Sequence, residues 1–507
     1  MTPPAVVPAP RTLATGDGNP FVLSPSLRIA GDAEAADVLA ALLAIRTRGD
    51  VAPRTTDGGS DGGPLIELRV EPGEEREGYR VTADAASVVV TGTDAAGLFY
   101  GVQTVGQLVR RNGDAWMVTA VAIEDAPRFA YRGVMLDVAR HFFGPDAIRA
   151  YIDRAASLKF NALHLHLTDD QGWRLALKSR PELTEHGSGT SVGGDPGGFY
   201  TREEYRDIVA YAASRHMIVV PEVDVPGHTH AVGLAYPELA AAPVLTDDVR
   251  AAVAQFGGGL PTAGVPYDGF AVGFSSLEIQ DERTYDFLAD VFGELASLTP
   301  GPYLHLGGDE ALGTAPDDFA EFMRRASAIV ADLGKTPIAW HEAGAAPGLD
   351  DATVGQYWGF VTPTDGADEK ARRFAQLILS PADAVYLDMK FAADSPLGLT
   401  WARGTTTLSR AYAWEPTDVV EGVDEDDILG VEAPLWTETI RTLGEIDGMA
   451  FPRIAAAAEI AWSPRAAASG LRTWESFRSR VGALGPLWTS LGIRYTPLPE
   501  VEWSAEE

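Results

Sequence analysis

Asp309 and Glu310, adjacent carboxylates at the end of YLHLGGDEA (303–311), carry the most chemistry in the chain. The apolar run before them gives way to Gly307 and Gly308, which let the backbone turn sharply and let a ligand come close. Neighbouring side chains at a strand end point in different directions. Two carboxyl groups placed there can meet different environments, one staying protonated as an acid and the other charged. The competing reading is a helix N-terminus, where acidic residues are favoured by the helix dipole.

A second cluster is NALHLHLTDDQGWR (161–174), in which His164 and His166 share one face of a strand and Asp169, Asp170 and Trp173 follow its end. His228 and His230 in PEVDVPGHTHA, together with His305, could join such histidines around zinc, so a metal-dependent hydrolase is one reading. The other is a set of buried histidines satisfied by hydrogen bonds, and no pair stands at HExxH spacing. A third feature is aromatic: Trp340, Trp358, Trp401, Trp414 and Trp436 mostly follow strand-like runs, and tryptophan faces suit the apolar faces of sugars as readily as they suit a core. Arg140, Tyr386, Asp388 and Glu438 add polar groups fit for binding hydroxyls, or for ordinary surface pairing.

Such residues need a scaffold. Short apolar runs at 133–137, 162–167, 218–223, 303–306, 336–340, 354–357, 376–379 and 429–431 alternate with amphipathic stretches. Eight β–α units predict an α/β fold, a closed (β/α)8 TIM barrel with its chemistry at the C-terminal ends of the strands. Ahead of it, strands at 65–70 and 87–91 and a helix over 95–109 predict a small α+β domain. Glycine-rich 58–63 reads as a loop, and Asp125-Ala126-Pro127 as the junction. The expected organisation is an extended N-terminal arm over 1–20, an α+β domain over 21–127, and a barrel over 128–507 ending in a helical segment.

With 507 residues, 46% of them hydrophobic, the chain can bury large cores, and no apolar run is long enough for a membrane span. The formal charge of −32, from 72 acidic and 40 basic residues, disfavours nucleic acid and anionic membranes as partners. Zero cysteines exclude thiolate metal sites and cysteine nucleophiles. Residues 1–20 have no basic start followed by an apolar stretch, so the chain as written is expected to be cytoplasmic, or secreted if a leader precedes it.

In order along the chain, YRGVMLDVARHFF, LHLHLTDDQGW, PEVDVPGHTHA, HLGGDEA, VYLDMKF and EAPLWTET resemble the motifs of the β-N-acetylhexosaminidases of glycoside hydrolase family 20. The resemblance runs from about 21 to 464, with GLFYGVQTVGQL similar to the end of that family's small domain. It implies a retaining exo-hydrolase acting on terminal β-linked 2-acetamido sugars of oligosaccharides or glycoconjugates, chitin fragments among them. Catalysis would be substrate-assisted, through an oxazolinium, with no metal and no cofactor. By the same matching, Glu310 would be the general acid and base, Asp309 would orient the acetamide nitrogen, and Tyr386 would donate to the acetamide oxygen. Trp340, Trp358 and Trp436 would wall the acetamide pocket, while Arg140, Asp388 and Glu438 would bind ring hydroxyls. Asp169 and His228 resemble the family's buried relay to the acid. The family motif commonly has another residue where His230 stands, and 240–274 carries no specificity signal. Alternatives are release of a disaccharide, a metal-dependent barrel hydrolase, and a silent carbohydrate-binding protein on the same fold.

Overall fold

The computed structural model describes residues 4–16, 18–56 and 63–505. Eight parallel strands close into a barrel in sequence order: Tyr131–Asp137, Ala162–His166, Ile218–Glu222, Tyr303–His305, Thr336–Trp340, Val354–Tyr357, Leu377–Leu379 and Ile428–Ala433. These are the eight apolar runs, and closure comes from the eighth strand pairing with the first, Tyr131 against Gly430 and Val134 against Ala433. Side chains alternate along a strand, so every second residue enters the barrel. At the floor the inward residues are apolar: Tyr131, Ala162, Val220, Ile338, Val354 and Ile378 form one buried cluster. One step up, the same rows turn polar, with His164, Glu222, Gln356 and Glu432 all buried. Gly133 makes room for the last of these, because a Cβ there would lie 2.4 Å from Glu432 Oε2.

The small domain is a seven-stranded mixed sheet whose strand at Tyr79–Ala83 lies between Val121–Asp125 and Ser87–Gly92. Helices Ala33–Arg46 and Ala95–Leu108 pack with it. Both start on an aspartate that accepts a backbone N–H, Asp32 from Ala35 and Asp94 from Gly97. A three-stranded sheet holds Phe21–Leu23, Ala115–Val118 and Val109–Asn112.

Among the first 20 residues, the described ones, 4–16 and 18–20, hold no helix, yet they are no free arm. Val6, Val7 and Ala9 are buried. Thr12–Thr15 pairs antiparallel with 121–124 as the outer strand of the sheet. Gln107 brackets Val7, its Oε1 accepting from Val7 N and its Nε2 donating to Val7 O, both at 2.8 Å. Ala9 N donates to Glu459, a residue of helix Arg453–Trp462. Proline content thus marks extended backbone, and burial puts Val6 and Val7 into the main hydrophobic cluster. The junction is equally solid: buried Asp125 accepts from Tyr79 OH at 2.6 Å and from Trp462 Nε1 at 3.0 Å. Residues 58–62 of the glycine-rich loop lie outside the described residues. No helix among the described residues is long and apolar enough to cross a membrane.

Candidate active site

Asp309 and Glu310 follow the fourth barrel strand at the C-terminal face, on a loop that starts in the left-handed region at Gly307 (φ 69°) and Gly308 (φ 96°). A Cβ on Gly307 would sit 1.8 Å from Asp224 Oδ1, so only glycine lets this turn pass the end of the third strand. Asp224 Oδ1 in turn accepts Gly308 N at 3.0 Å. Glu310 itself has φ 44°, and His228, facing it, has φ 54°. Left-handed backbone at two non-glycine residues, 3.6 Å apart through His228 Nε2 and Glu310 Oε2, is strain held where side chains must be aimed. Burial pushes the Glu310 carboxyl up to about 7, with Asp309 pushing the same way and His228 opposing.

The histidines pair with carboxylates. His228 Nδ1 donates to Asp169 Oδ1 at 3.2 Å, and Asp169 Oδ2 accepts from His166 Nε2 and Arg140 Nη1, both at 2.8 Å. Burial would raise Asp169, but Arg140 and His228 outweigh it and hold the carboxyl well below the usual range. For His228 the balance is reversed: burial opposes protonation, while Asp169, Asp224 and Asp309 raise it well above an ordinary histidine. His164 and His166 continue this network below Asp169 and meet at Glu222. The groups His164–Glu222–His305 and Asp169–Asp224–His228 bring ligand atoms within 4.8 Å of one another. His164 spends both nitrogens on Glu432 and Glu222, and His305 Nδ1 accepts Gly307 N, so a cation there would have to displace these contacts. His230 stands apart: its Nε2 donates to Val265 O at 2.7 Å, and its ring meets Tyr267 and Phe274 edge-on.

An aromatic pocket adjoins the acidic pair. Trp340, Tyr386 and Trp436 are buried in one cluster with half-buried Trp358 packed against it. The Trp340 and Trp436 ring centres are 6.2 Å apart, and those of Tyr386 and Trp436 6.4 Å. Exposed Trp401 lies edge-on to Trp358 and Tyr386 at 5.9 and 5.7 Å. Trp414 does not join them; it is buried in the main core and donates to Ala411 O. Around the pocket, Arg140 lies 4.9 Å over the Trp436 ring. Asp388 is buried with neither oxygen hydrogen-bonded within the protein, as are Asp309 Oδ1 and Arg140 Nε. Burial, and then the nearby Glu438, raise Asp388 well above its usual value. Polar atoms left unsatisfied at such depth suit a polyhydroxylated ligand that completes them.

Two site residues had no signal in the sequence. Glu342 accepts the Trp358 indole N–H at 2.9 Å, and burial together with Asp309 pushes it up to about 8. Asp224, buried beneath Gly308, is raised well above normal by burial and by Asp309. Both follow strand ends by two residues, a position shared with many solvent-facing acids. The 240–274 segment, without signal in the sequence, forms helix Asp247–Phe256, capped by Thr246, over its own cluster of Val249, Tyr267, Ala271 and Phe274.

Fold and site define a barrel hydrolase in which a carboxylate pair borders an aromatic pocket. The family model for the glycosyl hydrolase family 20 catalytic domain matches residues 129–465, and that for family 20 domain 2 matches 3–126. The chain belongs to glycosyl hydrolase family 20. It is 41% identical to a beta-N-acetylhexosaminidase of Cellulomonas fimi, over 98% of this chain and 97% of that one. The solved structure of a glycoside hydrolase family 20 beta-N-acetylglucosaminidase superposes with TM-score 0.92 at 63% identity, covering 99% of this chain and all of its own, 100%. The Streptomyces plicatus N-acetyl-beta-hexosaminidase in complex with Thio-NAglucal superposes with TM-score 0.88 at 43% identity, covering 99% of this chain and 98% of that one.

Proposed function

We propose that the protein is a retaining exo-β-N-acetylhexosaminidase that removes terminal β-linked 2-acetamido sugars from oligosaccharides or glycoconjugates by substrate-assisted catalysis. The observation that carries this reading is the contrast within one adjacent pair: burial pushes the Glu310 carboxyl up to about 7, while Asp309, whose charge acts on Tyr386 of the aromatic pocket, keeps one buried oxygen without a hydrogen-bond partner. The substrate's acetamide oxygen attacks C1 as the C1–O bond to the leaving group breaks, and Glu310 gives its proton to that oxygen. Asp309 accepts the acetamide N–H and stabilises the positive charge of the oxazolinium, and Tyr386 donates to the acetamide oxygen. Trp340, Trp358 and Trp436 hold the acetamide in line. Glu310, now a carboxylate, takes a proton from the water that attacks C1 and restores the β-configuration. Arg140, Asp388 and Glu438 fix the ring hydroxyls of the terminal sugar. Asp169 and His228 orient the acid and balance its charge once the proton has gone.

The test is turnover of a chromogenic β-N-acetylglucosaminide and its galacto epimer, with a thiazoline analogue of the intermediate as inhibitor. Turnover of at least one epimer, blocked by the thiazoline, is expected. Failure to turn over either one, or indifference to the thiazoline, contradicts the reading.

A further inference from the structure

We propose that Glu222 is a positioning residue that joins the proton side of the reaction to its nucleophile side, an inference that rests on the roles given above to Glu310 and Trp340. Glu222 ends the third barrel strand and is wholly buried. Its two oxygens serve different halves of the site. Oε2 accepts from His166 Nδ1 and, at 3.1 Å, from His164 Nε2. Oε1 accepts the Trp340 indole N–H at 2.9 Å. From His166 the contacts run through Asp169 and His228 to Glu310, while Trp340 is a wall of the acetamide pocket. The same group therefore aims the acid's relay and the ring against which the acetamide packs.

A merely structural anchor would not need this chemistry. A buried ion network carries a desolvation cost that apolar packing of equal volume avoids, and the floor of this barrel is packed in that apolar way. The network also extends outward, His164 Nδ1 donating to Glu432 Oε1 at 2.9 Å, and Glu432 being held further by Gln356 and Tyr131. Glu432 thus presents the same carboxylate one imidazole farther from the acid, without the branch to Trp340. Charged and titratable groups facing Glu222 are His164, His166, His305 and Asp224; those facing Glu310 are His228, Asp309, Arg140, Asp169 and Glu342. Removing the negative charge of Glu222 while His166 keeps its proton on Asp169 leaves the surroundings of Glu310 more positive, which favours its carboxylate.

Glu222→Gln and Glu432→Gln are compared with the unaltered enzyme on an aryl β-N-acetylglucosaminide, whose leaving group needs little protonation, and on diacetylchitobiose, whose leaving group needs it fully. Glu222→Gln is expected to lose about 100-fold in kcat/KM on the disaccharide and about 10-fold on the aryl glycoside, with the alkaline limb of the pH profile moved about half a unit or more to lower pH. Glu432→Gln is expected to lose less than about 3-fold on either and to leave the limb in place. Equal losses on both substrates with an unmoved limb, or equal damage from the two variants, overturn the proposal. If Glu222→Gln does not fold, His166→Gln breaks the link to Asp169, while the edge contact it also loses with the Trp436 ring, 4.8 Å between centres, acts on both substrates alike: a larger loss on the disaccharide than on the aryl glycoside supports the proposal, and equal loss on both overturns it. Activity of the unaltered enzyme tests the proposed function separately, so the two failures are distinguishable.

Discussion

The floor and the mouth of the barrel are built by the same eight strands and differ in what their inward rows carry. Tyr131, Ala162, Val220, Ile338, Val354 and Ile378 fill the floor with apolar contacts. A step or two along the same strands stand His164, His166, Glu222 and Trp340, charged or hydrogen-bonded throughout. Hydrophobic burial is non-directional and tolerates neighbours of similar volume, whereas buried charges are tolerable only as a mutually satisfied unit. The floor holds the barrel closed; the mouth spends part of that stability on aim.

Substitutions should separate the two. The largest loss is expected from Glu310→Gln, about 1,000-fold or more in kcat/KM on an unactivated disaccharide and much less on an aryl glycoside with a good leaving group. Equal loss on both would remove Glu310 from the role of acid. Asp309→Asn should cost about 100- to 1,000-fold on both, because it acts on the oxazolinium and not on the leaving group. It should also move the alkaline limb. Glu310 must be protonated to act, so kcat/KM is expected to be level below about pH 7 and to fall as the proton is lost above it. Without the Asp309 charge that limb should shift to lower pH, and a shift to higher pH would contradict the assignment. Tyr386→Phe should cost about 10- to 100-fold in kcat with little change in KM. At the floor, Ile338→Val should lower stability by about 1 kcal/mol in denaturant titration while kcat/KM stays within about 2-fold. A large loss of activity there would erase the division between floor and mouth.

Much of this was legible in residue order because barrel strands and sugar-site motifs are local. Each apolar run is short, bounded, and followed by its polar residue, so 336–340 reads as a strand with Trp340 at its end before any contact is known. What the sequence hides is contact across the barrel. Glu222 reads as one acid in PEVDVP, and nothing local shows that it meets three histidines and a tryptophan from the second, fourth and fifth strands. Trp414 carries the same ring as the pocket tryptophans, yet it follows helix Leu408–Tyr412 and is buried in the main core. Residues 4–16 look like an arm because proline signals extension, and extension says nothing about burial.

The central claim is that the substrate's acetamide oxygen is the nucleophile, and the most direct test varies that oxygen. Aryl glycosides whose N-acetyl group carries none, one, two or three fluorines should lose kcat/KM steeply with each fluorine, by about 1,000-fold or more across the series, and the first-formed sugar should be the β-anomer by proton NMR. A flat dependence on fluorination, or an α-anomer formed first, would contradict the account.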